Sequence, residues 1–567
     1  MDMKNVYKNQ KTKDLNQQRA MGKYGMVASA MNEATEVGAE VLRKGGNAMD
    51  AVVAVQFALS VVEPYNTGIG ASGFIIHYDN KSKQMKVING HSQAPKGITK
   101  DMFVDNEGNI IPHFHRSTVA SSVAIPGIIK AMDTALREFG TMSLDKLIEP
   151  AVQLAENGFT VNWHWQEAIE KLGHRLGDDG RRFFIPEGKP LVEGDWVTNT
   201  NLAKTLRILQ KQGVKALYEG EIGKAIVDTL QKMDGIMNIE DLNQYEVKIE
   251  EPITGKYKQY EIAAPGPPNA GGLSVIQMLK ILEGFQIEKH NISSWEKYYL
   301  LSEAMRLTSA DKLAYLADPE FADIPIEGLL HDDYIKERQN LINWKARNPL
   351  IDCGNPWPYQ GSSNKKGEVK AIQTTGGETT HFTAVDRWGN IAACTSSIEH
   401  VMGSGIMVPG YGFLLNNDLT DFWPEPQRTN SIEPKKFASS SKTPTIVFKD
   451  GKPVLTLGSP GGPTILSSVS QVLINILDYK MDVKDAIEEP RIYNSTGPYI
   501  WWEEGLSKEI RDKLGKMGFE FLENAKTIGN VQAILIDQEN GNLYGAADSS
   551  RPGSAIGINN VTSKKFG

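Results

Sequence analysis

The stretch GGETTHFTAVDRWGNIAACTSSIEH, residues 376–400, constrains the fold of this chain more than any other. Residues 379–386 and 390–398 are rich in β-branched and small side chains, which suit strands. Arg387-Trp388-Gly389 between them fits a three-residue hairpin loop, a type I turn followed by a glycine in the left-handed conformation. That loop makes Asp386 and Asn390 the closing pair, and counting back along the register sets Thr379 opposite Ser397, both hydroxyls on one face of the ribbon. Cys394 falls on the opposite phase, which points it into a core.

Thr379 is the residue on which a chemistry can be built. A threonine hydroxyl is a poor nucleophile at neutral pH and needs a base beside it. An N-terminal threonine carries its own, an α-amine whose ordinary pKa is about 8. Freeing that amine requires the Glu378–Thr379 bond to break, and the hydroxyl can do this by attacking the Glu378 carbonyl to give an ester that water hydrolyses. Ser397, opposite in the register, is expected to hydrogen-bond the Thr379 hydroxyl and hold it for attack. Ahead of the bond, residues 352–378 are rich in Pro, Gly, Ser and Lys without periodicity, and read as a linker. The chain thus divides into 1–378 and 379–567. A second element is Gly461-Gly462, just before Pro463 and an apolar helix. Two backbone N–H groups there suit an oxyanion; an ordinary strand-to-helix turn explains the same residues.

Bulk properties exclude several other classes. The 567 residues hold 61 basic and 69 acidic side chains, a net charge of −8, which argues against a nucleic-acid partner. No run of 18 apolar residues offers a membrane span. The first 25 residues are polar and lysine-rich with no apolar segment of the signal-peptide kind, and only two cysteines occur, so a reducing cytoplasm is the expected location. His113 and His115 lack a third ligand at useful spacing, and neither metal nor other cofactor is expected. Gly68, Gly70 and Gly73 satisfy G-x-G-x-x-G, but they follow a helix and precede a strand, the reverse of a dinucleotide site, so a tight turn lining a cleft is expected. Helices are expected from Asn32 or Thr35 to Gly45, again from Asn47, and at 200–211, 221–233, 272–284 and 294–316.

Taken together, TTHFTAVD, GSGIMVPGYGFLLNNDLTDF, SSSKTPTIV and GSPGG resemble the γ-glutamyltranspeptidase family of N-terminal-nucleophile hydrolases. Matches such as ATEVGAEVLRKGGNAMDAVVAV and LSEAMRLTSADKLAYLADPEF extend the resemblance over nearly the whole chain. It implies an α/β fold of the four-layer αββα type, with a helix-rich N-terminal part. It implies an autoprocessing amidase that forms a threonyl acyl-enzyme from γ-glutamyl-type amides and passes the acyl group to water or an amine. Glu378 and Thr379 match the processing bond, Thr379 the nucleophile, and Ser397 the family's second threonine. Gly461 and Gly462 match its oxyanion-hole glycines. Ser440 and Ser441 match the serines on the γ-glutamyl α-carboxylate, and Asp421 the aspartate on its α-ammonium.

Three departures bear on the substrate. The family's carboxylate-binding arginine is replaced by His91, which cannot form arginine's always-charged fork. Glu399 and Asp418 stand where an asparagine and a glutamine help to hold the amino group. The loop between Asp421 and Ser440 is short, which leaves the pocket open. A hydrolase of glutaryl-type or other short dicarboxylic amides is therefore a second expectation, and an unprocessed, inactive binding homologue a third. If the chain is cut, the two fragments are expected to stay associated.

Overall fold

The computed structural model describes residues 18–364, 366–369 and 377–560. Residues 1–17, 365, 370–376 and 561–567 lie outside the described residues. Two seven-stranded sheets form the centre. The first runs, from edge to edge, Ser554–Gly557, Met26–Ser29, Thr380–Val385, Ile391–Ser397, Ser72–Asp79, Gln84–Gly90 and Lys248–Glu250. The second runs Arg19–Gly22, Leu543–Ala547, Gln532–Ile536, Lys452–Gly458, Thr445–Lys449, Tyr260–Ala264 and Ile253–Tyr257.

Alternation along the strands decides which residues meet. Phe74, Ile76, Val385, Ile391 and Ala393 of the first sheet pack against Ala263, Ile446, Phe448 and Ile534 of the second. On its other face the first sheet offers Phe382, Ala384, Ala392 and Cys394 to helices that include Ala48–Val62. That helix is apolar all round and every residue in it is buried, and Asn47 starts it with a capping box to Asp50. Beyond the second sheet, Val447, Leu455 and Leu457 pack on helices Gly271–Glu283, Trp295–Tyr315 and Ile465–Leu477. The order helix, sheet, sheet, helix is the expected four-layer sandwich.

The hairpin forms in the expected register. Thr380 pairs with Ser396 and Val385 with Ile391, so continuing the ladder sets Thr379 opposite Ser397. Gly389 turns at φ 80°, and Asp386 and Asn390 close the loop through a 3.1 Å backbone bond. The expected helices run Asn32–Arg43, Ala48–Val62, Thr200–Gln212, Glu221–Gln231, Gly271–Glu283 and Trp295–Tyr315. The G-x-G-x-x-G stretch is a turn between the helix ending at Val62 and the strand starting at Ser72. In the proline-rich run, Cys353 and Trp357 are buried beside Tyr315 and Tyr334.

Strands from both sides of residue 379 are joined in both sheets. Thr380–Val385 lies between Met26–Ser29 and Ile391–Ser397, and Thr445–Lys449 lies between Tyr260–Ala264 and Lys452–Gly458. Neither seven-stranded sheet belongs to one part of the chain alone.

Candidate active site

Even positions of the hairpin face the helices, so odd positions face the gap between the sheets. Thr383 demonstrates this with a 2.9 Å hydroxyl contact to Thr456 of the other sheet. Thr379, one residue before the strand, is 2% exposed at the end of that gap. The Glu378–Thr379 peptide is intact, and its surroundings are specific. Ser397 Oγ donates to the Glu378 carbonyl oxygen at 2.6 Å and accepts from the Glu399 backbone N–H at 2.7 Å. The Glu378 N–H donates to the Glu399 carbonyl at 2.6 Å. The expected bond between Ser397 and the Thr379 hydroxyl is corrected: the Ser397 proton goes to the carbonyl that Thr379 would attack. The physical reason is that an uncleaved bond leaves a buried carbonyl beside Ser397, and that carbonyl needs a donor.

Gly461 and Gly462 face this peptide from the other sheet. Gly461 has φ 123° and Gly462 φ 53°, and they lead through a short 3₁₀ turn, Gly462–Thr464, into the helix Ile465–Leu477. A methyl group on Gly462 would come within 2.8 Å of the Gly377 Cα and backbone nitrogen. The residue two before the candidate nucleophile therefore lies directly against the glycine pair.

Sequence reasoning missed Arg551 and Glu63, which hold the peptide in place. Arg551 donates to the Thr379 carbonyl at 2.7 Å and to Glu63 Oε1 at 2.8 Å, and it also pairs with the Glu378 carboxylate. The Glu63 side chain is fully buried; burial raises its pKa, and the Arg551 charge opposes that rise. Nothing in the local sequence of either residue signals this, since they meet across 488 positions.

Beside the peptide lies a cluster of charges. Glu399 and Asp421 form one titrating pair. Burial holds the Glu399 carboxyl well above its ordinary pKa, and the Asp421 charge adds to the effect. Asp421 is pushed up to about 6, by burial first, with Lys442 opposing and Asp418 reinforcing. Asp418 Oδ2 accepts from the hydroxyls of Ser72 and Ser92, and its Oδ1 is buried without a partner. Lys312 Nζ donates to Ser441 Oγ at 2.7 Å. Burial lowers the Lys312 ammonium to about 8, against the pull of Asp421 and Glu399. Ser440 is pinned through its backbone, with its carbonyl accepting from Ala270 N–H at 2.7 Å.

His91 does not take up the role of a carboxylate ligand. Its Nδ1 meets Ser72 Oγ at 3.3 Å and its Nε2 meets the Ala438 carbonyl at 3.1 Å. Burial, and then the Lys442 charge, hold its pKa well below the ordinary value. Nε2 faces a carbonyl and so carries the ring N–H, which donates to Ala438 and supports the loop that carries the serine pair. Arg116 lies over the Phe103 ring at 5.3 Å. Lys312 and Lys442 are the cations of the pocket, and sequence reasoning passed over both. The position of Lys442, next to the serine pair, was the available signal. Among the described residues, no group of three His, Cys, Asp or Glu side chains is placed to hold a metal.

Two facing antiparallel sheets between helical layers, with a hydroxyl residue at the head of a central strand, define the N-terminal-nucleophile hydrolase class. Residues 34–558 match the family model described as gamma-glutamyltranspeptidase, and the chain belongs to that family. It is 48% identical to the glutathione hydrolase proenzyme of Bacillus subtilis over 97% of this chain and 94% of that protein. It is 33% identical to the acylase ACY 1 proenzyme of a Pseudomonas species, over 95% and 94% of the two chains. Among solved structures, a cephalosporin acylase from Bacillus halodurans superposes with a TM-score of 0.85 at 25% identity, covering 96% of this chain and 97% of that one.

Proposed function

We propose that this enzyme cuts itself between Glu378 and Thr379 and then uses Thr379 to hydrolyse γ-glutamyl-type amides, or to transfer their acyl group to an amine. The observation that carries the reading is the 2.6 Å bond from Ser397 to the Glu378 carbonyl, beside the Gly461-Gly462 turn. Thr379 Oγ attacks the Glu378 carbonyl carbon, and the oxygen that gains charge already accepts the Ser397 proton. The Thr379 nitrogen leaves as an amine, taking a proton, and water hydrolyses the resulting ester. The new amine, with an ordinary pKa of about 8, then serves as base for the same hydroxyl. A substrate acyl group replaces the 377–378 segment against Gly461 and Gly462, which donate to its oxyanion.

The Glu399–Asp421 pair favours γ-glutamyl over glutaryl amides, because two carboxylates beside the acyl chain suit an α-ammonium. The acylase relatives keep the glutaryl reading as the competitor. The fragments 1–378 and 379–567 are proposed to stay together as a heterodimer, since both contribute strands to each seven-stranded sheet. Rates with γ-glutamyl-p-nitroanilide and glutaryl-p-nitroanilide on fully processed protein test the reading. A preference of tenfold or more for the γ-glutamyl compound is expected; glutaryl preference would assign the enzyme to the acylases.

A further inference from the structure

The pocket has to recognise the free carboxylate of its acyl group without the family's arginine, and His91 has neither charge nor a free N–H for the task. Of the two ammonium groups whose charges act on Asp421 and Glu399, Lys442 is the one without a hydrogen bond. It directly follows Ser440 and Ser441 and is 3% exposed. Its backbone is fixed: its N–H donates to Ser440 Oγ at 3.3 Å, and its carbonyl accepts from the Asn269 side chain. Its ammonium, by contrast, has no ion pair or hydrogen bond among the described residues. The ammonium feels the Asp421 and Glu399 charges without a hydrogen bond to either, which leaves its donors for an anionic ligand. Its charge is felt by His91, Glu399 and Asp421, so it lies among the groups that surround the acyl chain. Lys312, the other ammonium, is already bonded to Ser441 Oγ and orients that hydroxyl.

We propose that Lys442 is the residue that binds the free carboxylate of the acyl group, with the Ser440 and Ser441 hydroxyls as its accessory donors. This rests on the reading of the site as an acyl-amide pocket and names the residue that sets its specificity. In a γ-glutamyl substrate, the α-carboxylate lies on Lys442 and the α-ammonium on the Asp421–Glu399 side. In a glutaryl substrate, the terminal carboxylate takes the same place. An ammonium is a point charge with three rotatable donors, not a planar fork. The site therefore demands a carboxylate but tolerates more than one orientation of it.

The test compares γ-glutamyl-p-nitroanilide with 4-aminobutyryl-p-nitroanilide, which lacks only the α-carboxylate, and glutaryl-p-nitroanilide with butyryl-p-nitroanilide, which lacks its terminal one. Lys442→Met keeps the length and removes the charge. It is expected to raise KM for the carboxylate-bearing member by about 10- to 100-fold, the range of a charge-assisted hydrogen bond. KM for the member without a carboxylate should change by less than about threefold, so the discrimination collapses. Lys442→Arg is expected to recover most of it. A merely structural role would raise both KM values together. Self-cleavage of each variant, followed on a denaturing gel, reports that it has folded. If Lys442→Met keeps the wild-type discrimination in whichever pair the enzyme turns over, the assignment of Lys442 is wrong. If the processed wild type turns over neither carboxylate-bearing substrate, the reading of the pocket fails first and takes this assignment with it.

Discussion

Replacing Ser397 by alanine should slow self-cleavage by about two orders of magnitude. In the intact chain its hydroxyl bridges two groups, donating to the Glu378 carbonyl at 2.6 Å and accepting from Glu399 N–H at 2.7 Å. Against a neutral carbonyl, such a bond contributes only about 1 kcal/mol. As Thr379 attacks, the same oxygen becomes an oxyanion and the bond becomes charge-assisted. Loss of one preorganised donor at a developing oxyanion costs about 3 kcal/mol of barrier, roughly 100-fold in rate. The assay is the disappearance of full-length chain on a denaturing gel, timed from the start of a pulse of synthesis. The alanine also leaves Glu399 N–H without its acceptor, so about 1–3 kcal/mol of stability is lost, and a melting curve must accompany the rates. Ser397→Thr keeps the donor and should cleave within about tenfold of wild type. Folded Ser397→Ala that cleaves within about threefold of wild type would refute the role given to this bond.

Three further outcomes follow from the geometry. The Asp421 charge is lost as pH falls through about 6, so KM for a γ-glutamyl anilide should rise there. The Lys312 charge is lost as pH rises through about 8, so KM should rise again on the alkaline side. Asp421→Asn should shift the acid limb of a KM–pH profile to lower pH, because Glu399 still titrates but no longer feels the Asp421 charge. Arg551→Met leaves the Glu63 carboxylate buried and unpaired, and should destabilise the protein by about 3–5 kcal/mol in urea unfolding while slowing self-cleavage. Gly462→Ala puts a methyl group 2.8 Å from Gly377 at φ 53°, and should impair self-cleavage measurably on the same gel.

Local patterns carried much of this structure. The loop Arg387-Trp388-Gly389 and the alternation around it set the hairpin register, because a register is a local count from a turn. The same count placed Thr379 across from Ser397, but it could not say which oxygen receives the Ser397 proton. That depends on where the chain ahead of Thr379 lies. The helices were legible from their caps and periodicity, Asn47 and Asp50 above all. What stayed hidden was made by long-range pairing: Arg551 with Glu63 and Thr379, and Lys312 with Ser441. A lysine in a helix reads as solvated surface until the fold buries it. The His91 substitution was visible in the sequence; the reason it leaves the carboxylate to another residue, a ring N–H already given to the Ala438 carbonyl, was not.

The central claim is that Thr379 frees its own amine. Intact mass and N-terminal sequencing of the purified protein test it most directly, with Thr379→Ala alongside. The expected result is two fragments from the wild type, one beginning at Thr379, and a single uncut chain of 62.6 kDa from the variant. A wild type that stays whole, or a variant still cut between residues 378 and 379, would contradict it.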